Sequence, residues 1–256
     1  MQLITLTTDL GKDDYFVALL KAEVLSLAGM DISFIDVSHS VDSQDIQQAA
    51  FFLKTTYHKF PKGTIHISCV YSYYSSNYEI IAFERDGFYF MGPNNGLFSL
   101  LFPELAEKDV YRVEHENQEV NKLIAHAVAC IRNNLFPNEM GSKLKQLNTR
   151  LALQPVTTNA NIRATIIHID HFENLTLNVT REVFERVRKG RRFEVFYKQH
   201  EPIAQISKHY GDVPVGDVLC LFNSADLLEI AINMGKASSL LSLQKNETVQ
   251  IYFYEE

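Results

Sequence analysis

Between Gln2 and Tyr71 the chain alternates two kinds of apolar pattern, and that alternation narrows its fold more than any other feature. QLITLTTD, DISFIDVS and TIHISCVY are short runs rich in Ile, Val and Thr, the composition of strands. Between them lie DYFVALLKAEVLSLA, with Phe16, Leu20, Val24 and Leu27 at helical spacing, and QDIQQAAFFLKTTY, striped by Ile46, Ala49, Ala50, Leu53 and Tyr57. Strand, helix, strand, helix, strand predicts a parallel sheet with helical crossovers. Asp42 or Ser43 is expected to cap the second helix, and Asp13 or Asp14 the first, because a carboxylate or hydroxyl there accepts from free first-turn amides. EIIAFERDGFYFMG predicts a hairpin turning at Asp86-Gly87, and NKLIAHAVACIRNN a further helix.

Ligands of such open sheets collect beyond the carboxyl ends of the strands. Asp9, Ser38 to Ser40 and Tyr71 each follow a strand and are expected on one rim. A strand-end carboxylate like Asp9 can accept two hydrogen bonds from a vicinal diol, as in ribose recognition, or simply hold a turn. Pattern alone leaves both open.

After Gln154-Pro155 the character changes. RATIIHID, NLTLNV, RRFEVFY, PIAQISKHY, DVLCLFN and TVQIYFY read as short strands, and only REVFERVRKG and ADLLEIAINMG as helices. An antiparallel barrel or sandwich is expected there. Asp170 to Asn174 and Asn223-Ser224 close strands, where Asn and Ser serve equally as turn formers or as ligand groups.

A net charge of −7 and a pI near 5.7 argue against a nucleic-acid backbone or an anionic membrane as partner. Arg186, Arg188, Lys189, Arg191 and Arg192 read as the polar end of a helix and its turn. The nine histidines, His200 among them, form no HxH or HExxH pattern and the three cysteines no CxxC, so no metal is expected. Cys69, Cys130 and Cys220 sit in apolar runs as expected free thiols. With no secretory pattern and no apolar run of spanning length, a cytoplasmic protein is expected.

With these residues placed, the chain resembles the S-adenosylmethionine (SAM) hydroxide adenosyltransferases, relatives of the chlorinase and fluorinase enzymes. The matching stretches are TTDLGKDDYFVALLKAE, FIDVSHSVDSQDIQQAAFFL, FPKGTIHISCV, MGPNNGLFSLLF, PNEMGSKL, IDHFENLTLNV and YGDVPVGDVLCLFNSADLLEIAINMGKAS. The resemblance implies a Rossmann-like α/β domain with a mainly parallel sheet over residues 1–153 and an antiparallel β-barrel over 154–256, the boundary falling between Asn148 and Asn161. It implies a homotrimer with sites between one subunit's N-terminal domain and a neighbour's C-terminal domain. It also implies an adenosyl compound as the ligand, with no cofactor beyond SAM itself.

Carried over by position, Asp9 is similar to the family's ribose-diol carboxylate and Asp170 to the group holding the methionine amino end. Asn174 matches a ligand contact from the C-terminal turn, Ser224 a group on the carboxylate or adenine side, and Tyr210 an aromatic wall of the adenine pocket. Glu229 and Asn233 match as supporting residues. Departures concentrate in one loop. Where the hydrolases carry Asp-Pro-Gly-Val-Gly with an Arg seven positions beyond the Asp, this chain has Tyr71 and Tyr78. The family's third catalytic group, a His, aligns with Glu119, with His115 nearby. The halogenating relatives carry Tyr at the Tyr71 position, but this chain lacks the fluorinase's large insertion. The expected function is therefore SAM binding with hydrolysis to adenosine and L-methionine by an altered set. The alternatives are a silent adenosyl sensor, a structural trimer and halide alkylation.

Overall fold

The computed structural model describes residues 1–197 and 202–255; His200 lies outside them. Two compact units divide at Ala152/Leu153.

The first unit runs β1 (Gln2–Thr8), α1 (Phe16–Ala28), β2 (Ile32–Ser38), α2 (Ile46–Thr56), β3 (Ile65–Cys69), β4 (Ile80–Arg85), β5 (Phe88–Pro93), α3 (Leu97–Leu101), β6 (Tyr111–Val113), α4 (Val120–Arg132) and β7 (Gly141–Lys143). Its sheet has the order β2-β1-β3-β5-β4-β6-β7. β2, β1, β3 and β5 are mutually parallel, as the crossover pattern predicts, and β4, β6 and β7 extend the sheet antiparallel. Both faces are covered. Ile4, Leu6, Ile65 and Ile67 pack beneath Leu20, Val24, Leu123 and Ile124 of α1 and α4. Phe83, Phe90 and Val70 pack against Ala49, Leu53, Leu97 and Phe98 of α2 and α3. The hairpin turns at Asp86 (φ 54) and Gly87 (φ 76), the left-handed pair that an Asp-Gly turn requires.

Local expectations needed correction. In the α1 stripe only Leu20 and Val24 are buried; Phe16 and Leu27 stay 42% and 46% exposed. Neither Asp13 nor Asp14 caps α1, whose N-cap is Tyr15: among the described residues Asp14 Oδ1 accepts from the adjacent Tyr15 N–H (2.9 Å), one residue too early to reach the first-turn amides. Helix α2 is capped by Asp45, whose Oδ1 accepts from Gln47 N–H (3.0 Å) and Gln48 N–H (2.9 Å), and not by Asp42 or Ser43. Gln44 turns left-handed (φ 66) just before it, so the cap falls at Asp45 while the helix begins at Ile46, the first residue of the stripe.

The second unit runs β8 (Val156–Thr157), β9 (Asn161–Ile169), β10 (Leu175–Thr180), α5 (Arg181–Arg188), β11 (Arg192–Phe196), β12 (Val218–Phe222), β13 (Leu227–Ile232), α6 (Ala237–Leu241) and β14 (Thr248–Tyr254). Its strands pair antiparallel in the order β11-β14-β9-β10-β13-β12, with β8 on β9. Phe184, Leu177, Ile230, Val249 and Ile251 centre the core.

ADLLEIAINMG, expected as a helix, supplies strand β13. A strand buried on both faces reads as a continuous apolar run, and left-handed Asp226 (φ 56) and Met234 (φ 56) bracket it. PIAQISKHY, expected as a strand, makes only single bridges: Ile203 to Val195 of β11 and Ile206 to Cys220 of β12. This irregular segment thus touches both edge strands of the curled sheet.

Candidate functional site

Parallel pairing brings the ends of β1, β2 and β3 level, so the loops that follow them form one rim. Asp9 stands at its centre. Its Oδ2 accepts from the Gln44 N–H (2.9 Å) on the β2–α2 loop and from the Tyr71 N–H (3.2 Å) after β3. Its Oδ1 has no partner among the described residues, which leaves acceptor capacity for a ligand hydroxyl. Beside it, buried His39 joins Thr8 Oγ1 (2.9 Å) to Asp36 Oδ1 (3.2 Å) and fixes β2 against β1. The Gly11 N–H closes the rim on the His39 carbonyl (2.9 Å).

The rim encloses a cavity of about 440 Å³ lined by Asp9, Phe16, Gln44, Cys69, Tyr71 and Tyr73, with Val120 and Asn121 from the start of α4. This lies within the range of small-molecule sites, and the mix of aromatic walls with one carboxylate suits a nucleoside. The Cys69 thiol is pushed up to about 12 by burial and the Asp9 charge, so it is a neutral wall and not a nucleophile.

Tyr71 is left-handed (φ 51), an unusual conformation for an aromatic residue, and its ring meets Tyr74 edge-on at 6.4 Å. Tyr78 is turned away from Asp9: its hydroxyl donates to the Gln118 carbonyl (2.7 Å), and its ring packs edge-on against Tyr73 (5.0 Å). Burial, then Tyr78 and Glu119, push the Tyr73 hydroxyl above its ordinary value. Glu119 occupies the N-cap position of α4 without capping it and does not line the cavity. Neither does His115, whose Nδ1 accepts from the Asn117 N–H (3.1 Å) and whose ring lies 5.1 Å from that of His126.

The second unit gathers the other candidates around two turns. Asp170 Oδ1 accepts from the Phe172 N–H (2.9 Å) and the Asn174 N–H (2.8 Å), and Oδ2 from Asn174 Nδ2 (3.0 Å). Ser224 is exposed at the tip of the β12–β13 turn. Asn223 Oδ1 holds that turn by accepting from Ala225 N–H (3.0 Å) and Leu227 N–H (3.3 Å).

Glu229 ties these parts together. Only 4% exposed, it accepts from the Tyr210 hydroxyl (2.8 Å) and from Asn223 Nδ2 (3.0 Å). Burial pushes its carboxyl above the ordinary value against those hydrogen bonds, and the Asp170 charge pushes the same way. Burial and then Glu229 raise the Tyr210 hydroxyl, keeping it a donor. Gln44, which contributes a backbone amide, carries no sequence signal of its own, whereas Asn223 takes the turn-forming role that Asn at a strand end offers. Glu229 carries a signal: an acid inside LLEIAI is a charge in an apolar strand and requires partners. Among the described residues no group of His, Cys, Asp and Glu is arranged to hold a metal.

Known proteins match along the whole chain. The model of the SAM hydroxide adenosyltransferase N-terminal domain matches residues 4–130, and that of the C-terminal domain residues 164–250. The chain is 24% identical to an (R)-S-adenosyl-L-methionine hydrolase of Methanocaldococcus jannaschii, covering 99% of this chain and 97% of that one. It is 26% identical to the enzyme of that name from Salinispora arenicola (97% of each), and 22% identical to a fluorinase of Actinopolyspora mzabensis (97% and 96%). An uncharacterized conserved protein of Thermotoga maritima shares the fold, with TM-score 0.85, 24% identity and coverage of 98% and 100%. Two domain models in the right order, on a chain whose strand ends converge on Asp9, leave one conclusion: the chain belongs to the SAM hydroxide adenosyltransferase family.

Proposed function

We propose that this protein binds S-adenosylmethionine and hydrolyses it slowly to adenosine and L-methionine. The observation that carries this reading is Asp9, a strand-end carboxylate with a free oxygen in a cavity of about 440 Å³. In this reading Asp9 takes the ribose diol, and Tyr71 and Phe16 flank the sugar. Asp170 takes the methionine ammonium, with Asn174, Tyr210 and Ser224 contacting the remainder. Asp9 belongs to one unit and Asp170 to the other, so a homotrimer with the curled sheet as the family's β-barrel is part of the proposal.

The chemistry fits a site poor in bases. Attack at the 5′ carbon expels a neutral thioether from a sulfonium, so the leaving group needs no proton. Water needs orientation and partial deprotonation. Tyr71 and Tyr78 stand where the hydrolases carry Asp and Arg, and a phenol is a poor base at neutral pH. Losing that help lowers the rate by roughly 10² to 10⁴.

The same two tyrosines favour a second reading, a silent SAM or adenosine binder. Incubating the protein with SAM and following adenosine by chromatography, with and without chloride, separates the two. Adenosine above a heat-inactivated control supports hydrolysis. Thermal stabilisation by SAM without adenosine supports the silent binder. The absence of both effects sinks the adenosyl assignment, and a chlorinated nucleoside in the chloride arm moves the protein to the halogenating branch.

A further inference from the structure

A second cavity of about 210 Å³ shares Tyr71 with the first and is lined by Tyr71, Tyr74, Asn95, Asn148, Thr149 and Arg150. Its volume is well above the roughly 10–15 Å³ that a single water requires. No carboxylate lines it. This sets it apart from the adenosyl cavity, where Asp9 lies at the centre.

Arg150 is the cation of this lining and an exposed residue. Its backbone N–H donates to Ser99 Oγ (2.8 Å), a hydroxyl that is itself buried. Its aliphatic stem lies over Gly96: a Cβ built on that glycine would come within 2.4 Å of Arg150 Cγ. Gly96 is left-handed (φ 100), so the chain combines a special backbone conformation with the room this stem needs. The base of the stem is thus placed, and the guanidinium has no ion-pair or hydrogen-bond partner among the described residues.

The other lining groups are mostly donors or already satisfied. Tyr74 Oη accepts from the Glu79 N–H (3.2 Å), so its own proton is left to donate. Burial raises the Tyr74 hydroxyl, which keeps that proton in place. Asn95 is fully used, donating to the carbonyls of Val70 (2.9 Å) and Tyr71 (3.2 Å) and accepting from Leu97 N–H (3.1 Å). The Glu79 carboxylate is engaged elsewhere, with Asn94 Nδ2 (3.1 Å) and Arg112 Nε (3.7 Å).

We infer that this cavity is a binding site for a small oxyanion, a carboxylate or phosphate group held by the Arg150 guanidinium and the Tyr74 hydroxyl. An unpaired guanidinium lining the same cavity as a free hydroxyl proton is the donor chemistry that such oxygens take. The site is independent of the adenosyl assignment, and testing it requires no SAM.

Titrations with inorganic phosphate, sulfate and acetate, each against chloride at constant ionic strength, test it by calorimetry and thermal shift. The chain has no tryptophan, so tyrosine fluorescence gives a further readout that includes Tyr71 and Tyr74. Saturable binding of phosphate and sulfate with little response to acetate identifies a phosphate-type site, and the reverse order a carboxylate-type site. Arg150→Gln is expected to weaken binding at least tenfold and Tyr74→Phe several-fold, with unchanged far-UV circular dichroism. Gly96→Ala, which displaces the arginine stem, is expected to weaken it too while retaining the guanidinium. Absence of saturable binding by the parent protein overturns the inference, as does equal affinity in Arg150→Gln.

Discussion

The carboxylate of Glu229, almost wholly buried, accepts the Tyr210 hydroxyl at 2.8 Å across the gap between a strand and the short helical turn that carries the tyrosine. One acid thereby sets the position of an aromatic ring and, through Asn223, the shape of the turn bearing Ser224. The raised carboxyl binds its proton more tightly in the folded chain than in the unfolded one, where the ordinary value is 4.5. Its contribution to stability is therefore present below pH 4.5 and lost as pH rises through the raised value. The difference in unfolding free energy between the parent and Glu229→Gln is expected to change across that window and be flat above it, as urea denaturation at several pH values will show. Glu229→Ala, which strips two donors of their acceptor, is expected to cost about 1–3 kcal/mol at neutral pH.

Asp9 gives the sharpest binding test. Asp9→Ala removes a charged acceptor from the proposed diol and is expected to weaken SAM binding about 10- to 100-fold, the equivalent of about 1.5–3 kcal/mol. Calorimetric affinity equal to that of the parent would remove Asp9 from the ribose role.

Restoring the hydrolase residues tests the catalytic half. The double variant Tyr71→Asp, Tyr78→Arg is expected to release adenosine faster, by up to roughly 10² to 10⁴. Asp also accepts the left-handed backbone at position 71 more readily than Tyr does, so the exchange relieves strain there. An unchanged rate would show that orientation of water, and not the missing groups, limits turnover.

His66 predicts an acid-side loss of stability. Burial alone lowers its pKa from 6.5 to about 4, and its Nδ1 lies 2.7 Å from Thr5 Oγ1. A depressed histidine stabilises the fold fully above its unfolded value and loses that contribution as pH falls from 6.5 towards 4, by up to about 1.4 kcal/mol per pH unit. His66→Gln should lack that slope in the same denaturation series.

The thiols are expected to be inert in the folded protein. All three cysteines are free and buried, with Cys69 and Cys220 pushed up to about 12. Such thiols are on the order of one part in ten thousand ionised at pH 8, so a thiol reagent should label them only after unfolding. Rapid labelling of Cys69 in the native state would contradict the closed wall described for the cavity.

The sequence shows best where periodicity and turn chemistry agree. The parallel strands β1 to β3, the Asp86-Gly87 hairpin and helix α4 all follow from spacing and composition. Strand β13 was hidden because burial on both faces erases alternation, and β6 and β7 because three residues carry no period. At the site, Asp9 was visible as an acid at a strand end. Gln44 was not, because its contribution is an amide that every residue possesses. The Asp45 cap is not legible because Asp42, Ser43 and Asp45 are all capping residue types, and the left-handed turn at Gln44 that selects among them is tied to Asp9 across the fold.

That contact gives one oxygen atom a mechanical duty. Asp9 Oδ2 fastens the loops after β2 and β3 to the end of β1. A substitution at Asp9 therefore releases two loops at once, and the shape of the cavity rests on the same carboxylate that offers it a free acceptor.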